Sequence, residues 1–338
     1  MSEYFKNVIL FPLYLISILY YIGIRLRSFL YHSNILKTNK LPCMVISIGN
    51  ITVGGSGKTP MTIYLCRVLT AMDKKVVVLS RGYKGKSKGI NVVSDGCNIF
   101  MTADEAGDEP FLIASSLNGV PVIISRDRYS AGLFAIEKYK PDVILLDDGF
   151  QHIRLKRDID IVLVDSIRGF GNGYLLPMGI LREPVGSIKR AHIIFIKGND
   201  MEIVNKIREN GINAPVGFFE YIPHKLVNIT DGTSIEPHRL KNKNIVAFAG
   251  IANPVSFSKT LEQLGALIKH YIVFSDHYQY LSRDIDRIMK SATDADYVIT
   301  TEKDAVKIKN ILAENMAVYK LEIEVKVHNE QEFLRWII

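Results

Sequence analysis

Cysteine is scarce: Cys43, Cys66 and Cys97 are the only three, odd in number and far apart. That excludes a disulfide framework and a zinc-type cysteine spacing, and makes a reducing compartment the default. Internal repeats and low-complexity tracts are absent. Acidic side chains are the minority charge, 35 against 42 Lys and Arg, for a net charge of +7. The basic excess favours anionic partners (nucleotide, phosphorylated substrate, phospholipid surface or nucleic acid) without choosing among them. Hydrophobic residues make up 48% and charged residues 23% of the 338, a globular composition in a chain long enough for two domains.

What is present centres on Met44 to Ile63. Met44–Ile48 reads as a buried strand, Gly49–Gly57 as a glycine-rich turn, and Lys58-Thr59 as the opening of a helix. Pro60 fits a first helical turn, where an N–H has no intrahelical partner anyway. Gly57-Lys58-Thr59 is the ending of a phosphate-binding loop, with Thr52 standing where the strict pattern has glycine. Thr52, Val53, Gly54, Gly55, Ser56, Gly57, Lys58 and Thr59 are therefore expected to cradle the phosphates of ATP. Backbone N–H groups would curl around phosphate oxygens, Lys58 would reach the β/γ-phosphates, and the Thr59 hydroxyl would take Mg²⁺.

A second informative stretch, Pro141 to His152, is an apolar strand ending in Asp147 and Asp148. Acid at the end of a buried strand is how phosphate-loop enzymes hold Mg²⁺ or its water shell. Further apolar runs read as strands at Val76–Leu79, Val120–Ile124, Val143–Leu146, Ile159–Val164 and Ile193–Ile196, with helical patterns between most of them. This is the pattern of a mostly parallel, doubly wound α/β sheet, whose ligands bind at the carboxyl ends of strands. Ser80–Gly89 is a basic, glycine-rich loop, and Asp108 in Gly107-Asp108-Glu109-Pro110 reads, taken alone, as a helix cap. Gly169–Pro184 is a long irregular segment of the kind that faces substrate, with Arg182 as an anion contact. After about Tyr221 the pattern restarts as a second, smaller α/β unit, with strands at Ile245–Ala249, Tyr271–Phe274, Tyr297–Thr300 and Val318–Leu321.

Ahead of all this, Val8–Ile24 carries no charge and is flanked by Lys6, Arg25 and Arg27. As a helix it would measure about 25 Å, short of the roughly 30 Å hydrocarbon core. It reads as a helix lying in a membrane interface, a short span, or a buried core helix. The expected organisation is an N-terminal membrane-associating helix over residues 1–30, a phosphate-loop kinase domain over 31–225, a ribbon linker over 226–243 and a smaller α/β domain over 244–338.

With these residues in view the chain resembles the tetraacyldisaccharide 4'-kinases, the lipid A 4'-kinase family. The matching stretches are Gly49–Pro60, Ser80–Tyr83, Gly107–Pro110, Leu146–His152, Leu175–Pro184, Ala247–Pro254, Phe274–Tyr278 and Thr300–Lys307. Ile180 departs from a proline common before Leu-Arg-Glu-Pro in that family. The resemblance implies ATP-dependent phosphorylation of the 4'-hydroxyl of an acylated glucosamine disaccharide 1-phosphate, at the cytoplasmic face of a bacterial inner membrane. It implies Asp108 and His277 as a catalytic dyad, ATP and Mg²⁺ served by Lys58, Thr59, Asp147 and Asp148, and substrate contacts from Glu109, Gln151, His152 and Arg182. With Asp108 and His277 expected on different domains, closure would be needed to bring them together.

Other readings lack their signatures. A membrane-bound partitioning-type ATPase places a second lysine before the paired glycines, where this chain has Val53. A GTPase needs an Asn-Lys-x-Asp run, which is missing. The basic runs are scattered and accompany no nucleic-acid module, and no obligate protein partner is evident.

Overall fold

A computed structural model describes residues 3–337, and over Glu3–Phe11 the helical backbone only. The side chains of Lys6 and Val8–Phe11, part of the expected membrane stretch, therefore lie outside the described residues. In chain order the elements begin with α1 (Glu3–His32), β1 (Met44–Gly49), α2 (Lys58–Ala71), β2 (Val76–Ser80) and β3 (Asn91–Ser94). Then come α3 (Ala103–Ala106), α4 (Asp108–Ser116), β4 (Val122–Ile124), α5 (Arg128–Tyr139), β5 (Val143–Asp147), β6 (Ile159–Asp165) and β7 (Ile193–Lys197). The remainder is α6 (Met201–Glu209), β8 (Val216–Asn228), β9 (Ser234–Ile235), β10 (Asn244–Ala249), α7 (Pro254–Gln263), β11 (Leu267–Val273), α8 (Ser282–Ser291), β12 (Tyr297–Thr301), α9 (Glu302–Ile308), β13 (Val318–Val327) and α10 (Glu330–Ile337).

These elements form two compact units. The first comprises Met1–Arg81, Ser125–Glu220 and Val327–Ile338; the second comprises Gly82–Ile124 and Tyr221–Lys326. Residues 82–124, expected inside the kinase domain, thus group with the C-terminal part. The ion pairs that tie α4 to α9 within the second unit, described below, are the physical reason.

In the first unit β1 is central. It pairs in parallel with β5 on one side and β6 on the other, β2 extends the β5 side, and β7 extends the β6 side. Its apolar run Val45–Gly49 is buried throughout, as a strand covered on both faces requires. The register sets Ile48 opposite Asp147, so the loop after β1 and the acids after β5 emerge level, beside the strand where the sheet order reverses. That is where such sheets bind ligands. Ile51, Phe150, Val164, Leu181 and Ile194 belong to the core beneath these ends.

The second unit has its own parallel sheet in the order β11-β10-β12-β13. Alternate residues of β10 enter opposite cores: Ile245, Ala247 and Ala249 join Leu261 and Ile299, while Val246 and Phe248 join Ile285 and Ile308. Within the stretch 226–243, β9 pairs antiparallel with the end of β8, Leu226 opposite Ile235. The expected strand Val120–Ile124 shortens to β4, which pairs antiparallel with β3.

Described side chains of α1 exclude the buried-core-helix reading. Leu15, Ile16, Leu19, Ile22, Leu26 and Phe29 are exposed, Leu19 at 68%, and Pro12–His32 is long and apolar enough to cross a membrane. Polar contacts nevertheless run along the helix: Ser17 Oγ donates to Leu175 O at 3.0 Å, Tyr20 Oη to Arg182 O at 3.1 Å, and Arg27 to Gln151 O at 3.0 Å.

Candidate active site

The helix α2 starts without a side-chain cap. Its N-cap is Gly57 at φ +89°, ψ 19°, a left-handed conformation that glycine enters freely. The first-turn N–H groups are thereby left open to an anion, and the helix dipole favours one. Lys58 and Thr59 are both 92% buried at this mouth, and the buried Ser56 hydroxyl has no hydrogen-bond partner. The non-glycine entry at Thr52 has a local explanation. Thr52 forms an antiparallel bridge with Leu181, and Val53 N donates to Ile180 O at 2.8 Å. The entry is extended backbone, which a β-branched residue favours. Arg168 closes over it, with Nη1 3.4 Å from Val53 O.

Two carboxylates face the loop. Asp147 is 1% exposed and accepts from Thr62 Oγ1 at 3.2 Å and Ser80 Oγ at 3.3 Å. Asp148 sits at φ +54°, a backbone position that aspartate tolerates better than most residues. It receives Arg182 Nη1 at 2.9 and 3.2 Å and lies 3.6 Å from Lys58 Nζ. Burial pushes its carboxyl up, but Lys58, Arg182 and Arg128 outweigh that and hold it below the usual carboxylate range. Arg182, expected as an anion contact, is thus engaged by a loop-facing carboxylate. Gln151 donates to Asn50 O at 2.7 Å and so braces the loop entry.

His152 Nε2 is buried without a partner. Burial, then the Arg128 and Arg157 charges, push the imidazole down to about 4. A histidine held neutral in the fold protonates earlier in the unfolded chain. Between pH 6.5 and about 4 the unfolded state therefore binds more protons, and stability falls as pH falls through that window. Discounted for partial exposure, the penalty saturates at ~1–2 kcal/mol. His152→Gln should lose less melting temperature than the wild type between pH 7 and pH 4.5, read by calorimetry; parallel losses would contradict this.

The second unit holds a separate constellation. Asp108, expected as a helix cap when read alone, is instead the first residue of α4, capped by Gly107 with no side-chain bond. Its carboxylate is 3.0 Å through Oδ2 from His277 Nδ1 and 3.7 Å through the same oxygen from Lys307 Nζ. Oδ1 carries neither contact. The pair expected to meet only on closure is therefore preformed within one unit. Burial raises the Asp108 carboxyl, but the His277 hydrogen bond and the Lys307 and Lys303 charges bring it below its ordinary range. His277 adopts φ +60°, an uncommon conformation for a histidine and one that clusters at functional sites.

Lys303 and Lys307 come from α9. Lys307 is held 2.9 Å from the fully buried Asp304. Asp304 Oδ2 in turn accepts from Gly250 N at 2.9 Å and Thr301 Oγ1 at 2.7 Å. Lys303 Nζ lies 3.1 Å from His277 Nε2, 3.3 Å from Glu109 and 3.4 Å from Asp276. An ammonium only donates, so Nε2 accepts there, and the imidazole proton sits on Nδ1, pointing at Asp108. Thr300–Lys307 stood out in the sequence as a stretch, but nothing there assigned these lysines a position. Arg128, beside Asp148, carried no sequence signal at all.

A strand, an uncapped glycine loop and a helix, with acids level at the next strand end, define a phosphate-loop nucleotide-binding α/β protein. The particular kind follows from comparison with known proteins. The family model described as Tetraacyldisaccharide-1-P 4'-kinase matches residues 9–338, and the chain belongs to that family. A tetraacyldisaccharide 4'-kinase of Syntrophus aciditrophicus (strain SB) is 41% identical over 94% of this chain and 89% of its own length. That of Halothermothrix orenii (strain H 168) is 40% identical over 95% and 90%. A crystal structure of LpxK from Aquifex aeolicus in complex with ATP aligns over 98% of both chains, with 36% identity and a TM-score of 0.78. The chain is an enzyme, a kinase of lipid A biosynthesis, and the partitioning-ATPase reading is not favoured.

Proposed function

We propose that the first unit binds ATP on the loop Thr52–Thr59 and that Asp108 of the second unit accepts the proton of the acceptor hydroxyl. The acceptor is the 4'-hydroxyl of a tetraacylated glucosamine disaccharide 1-phosphate. The bond from the γ-phosphorus to the β-bridging oxygen breaks, a bond from the γ-phosphorus to the sugar oxygen forms, the hydroxyl proton passes to Asp108 Oδ1, and ADP leaves. The observation that carries the nucleotide assignment is the register of Ile48 with Asp147, which sets loop and acids side by side. Lys58 neutralises phosphate charge as it grows on the leaving side.

Asp108 is ionised at neutral pH and so is ready to accept a proton. In a loose phosphoryl-transfer transition state a weak, well-aimed base suffices. His277 orients it by donating from Nδ1, and Lys303 fixes that tautomer. Thr59, Asp147 and Asp148 would hold Mg²⁺. Among the described residues no group of three or more His, Cys, Asp or Glu is placed to hold a metal ion by itself, and one hydroxyl with one or two carboxylates suits an ion that keeps waters and phosphate oxygens. When bound, the ion supplies charge neutralisation to the phosphates. Glu109 and His152 are the side chains assigned to the disaccharide directly. Gln151 and Arg182 serve it through the loop entry and the carboxylate they hold. The reading is tested by ADP release measured with the acylated disaccharide 1-phosphate, with DNA, and with neither. Stimulation by the disaccharide alone supports it; turnover indifferent to the disaccharide overturns it.

The acceptor also explains the exposed face of α1. Burying each CH₂ is worth about 0.8 kcal/mol, so a tetraacylated sugar does not leave a bilayer readily. The contacts of Ser17, Tyr20 and Arg27 with the body of the first unit favour a helix lying in the interface over one crossing the bilayer. ATP supply and the reducing default favour the cytoplasmic face of the inner membrane. Replacing Leu15, Leu19 and Ile22 together by Ser should weaken binding to anionic lipid vesicles by 10²-fold or more, at ~1.5–3 kcal/mol per buried side chain, with ATP affinity nearly unchanged. Undiminished vesicle binding in a sedimentation assay would remove the membrane role.

A further inference from the structure

Arg128 is placed at a cost on three counts. It is 4% exposed, and its Nε is buried without a hydrogen-bond partner. No hydrogen bond or ion pair joins its guanidinium to another described residue. It is also the first residue of α5, where the helix dipole disfavours a cation. The neighbouring Asp127 does not relieve it: that carboxylate caps Tyr129 N and Ser130 N and pairs with Arg154. A second cation, Arg81, acts on it repulsively, while Asp148 and Asp147 attract it without an ion pair. Burial comes first in pushing its guanidinium down, to about 10.

An unpaired buried charge is among the most destabilising features a fold can carry, and such violations gather at functional sites. The carboxylates nearest to it are engaged elsewhere: Asp148 by Arg182 and Lys58, Asp147 by Thr62 and Ser80. What remains to complete a guanidinium here is an anion brought in from outside, and phosphate matches its planar fork.

We propose that Arg128 is a catalytic residue that binds the phosphoryl group as it moves from the nucleotide to the acceptor oxygen, its guanidinium kept free of protein partners so that phosphate oxygens complete it. This rests on the loop assignment of the preceding subsection. Because the guanidinium is buried without a paired group and the pull of Asp148 and Asp147 does not offset its burial, Arg128→Met should melt at the wild-type temperature or above. Its kcat should fall by about 10²–10³, the loss typical of one preorganised donor, while its Kd for ATP changes less than threefold. Arg128→Lys keeps the charge but loses the fork, and should recover less than a tenth of the lost rate. Orthophosphate added with ADP should raise the melting temperature of wild type above that with ADP alone, and should do so far less in Arg128→Met.

A Met variant that unfolds or melts several degrees lower would show a structural arginine and overturn the proposal. So would a kcat within threefold of wild type, or full activity in Arg128→Lys. Lys58→Ala measured alongside separates the two assignments. If Lys58→Ala is inactive and Arg128→Met active, only the Arg128 inference fails; if both are active, the loop assignment fails first.

Discussion

Asp108→Ala is expected to lower kcat by about 10²–10⁴, the range for removal of a positioned general base, with ATP binding largely kept. The expectation follows from where the carboxylate stands. His277 and Lys307 both address Oδ2, so on the proposed assignment Oδ1 is the oxygen that meets the sugar hydroxyl. His277→Ala should fall in the same range, since it removes the donor that aims the carboxylate and leaves Lys303 and Asp108 without their shared partner. Residues acting as one unit do not contribute additively, so the double variant should be little worse than the more damaged single. Multiplicative losses in a four-enzyme kcat comparison would show independent roles. An Asp108→Ala enzyme of normal activity would leave Asp108 as only the first residue of α4. Because the pair is preformed in one unit, its hydrogen bond should also be visible by NMR in the nucleotide-free protein, with the His277 proton on Nδ1.

Lys58→Ala is expected to cost about 10²–10³ in rate, equivalent to ~3–4 kcal/mol for one electrostatic contact made in a dry site. Lys58 is almost wholly buried and lies 3.6 Å from Asp148. Its removal also leaves that carboxylate dependent on Arg182 and Arg128, so ATP affinity should weaken along with kcat. A variant with near-normal kinase activity would mean that the loop after β1 is not where the triphosphate binds.

Much of this arrangement was legible before any coordinates, for physical reasons. The central strands of the two parallel sheets are buried on two faces and stand out as short apolar runs, as β1, β5 and β10 do. The phosphate loop announces itself because glycine, lysine and threonine at that spacing answer one need. Asp147 and Asp148 close an apolar run, and the structure sets that strand end level with the loop. What stayed hidden depends on tertiary packing. Residues 82–124 lie between two strands of the first unit along the chain, yet their ion pairs through Asp108 and Glu109 bind them to Lys307 and Lys303 of α9. No local pattern encodes that. Asp108 read locally as a cap because Asp before an apolar helix usually is one; here Gly107 takes the cap and frees the carboxylate. Arg128, Lys303 and Lys307 look like ordinary surface cations until burial and distance are known. Thr52 seemed a flaw in the loop motif until its bridge to Leu181 showed an extended entry.

The most direct test of the account follows the label of γ-³²P-ATP in the presence of the acylated disaccharide 1-phosphate and locates it in the product. The label is expected in a phosphate ester on the 4'-oxygen, formed one for one with ADP, and lost in Lys58→Ala and Asp108→Ala alike. Label released as inorganic phosphate at the same rate with or without the disaccharide would contradict it.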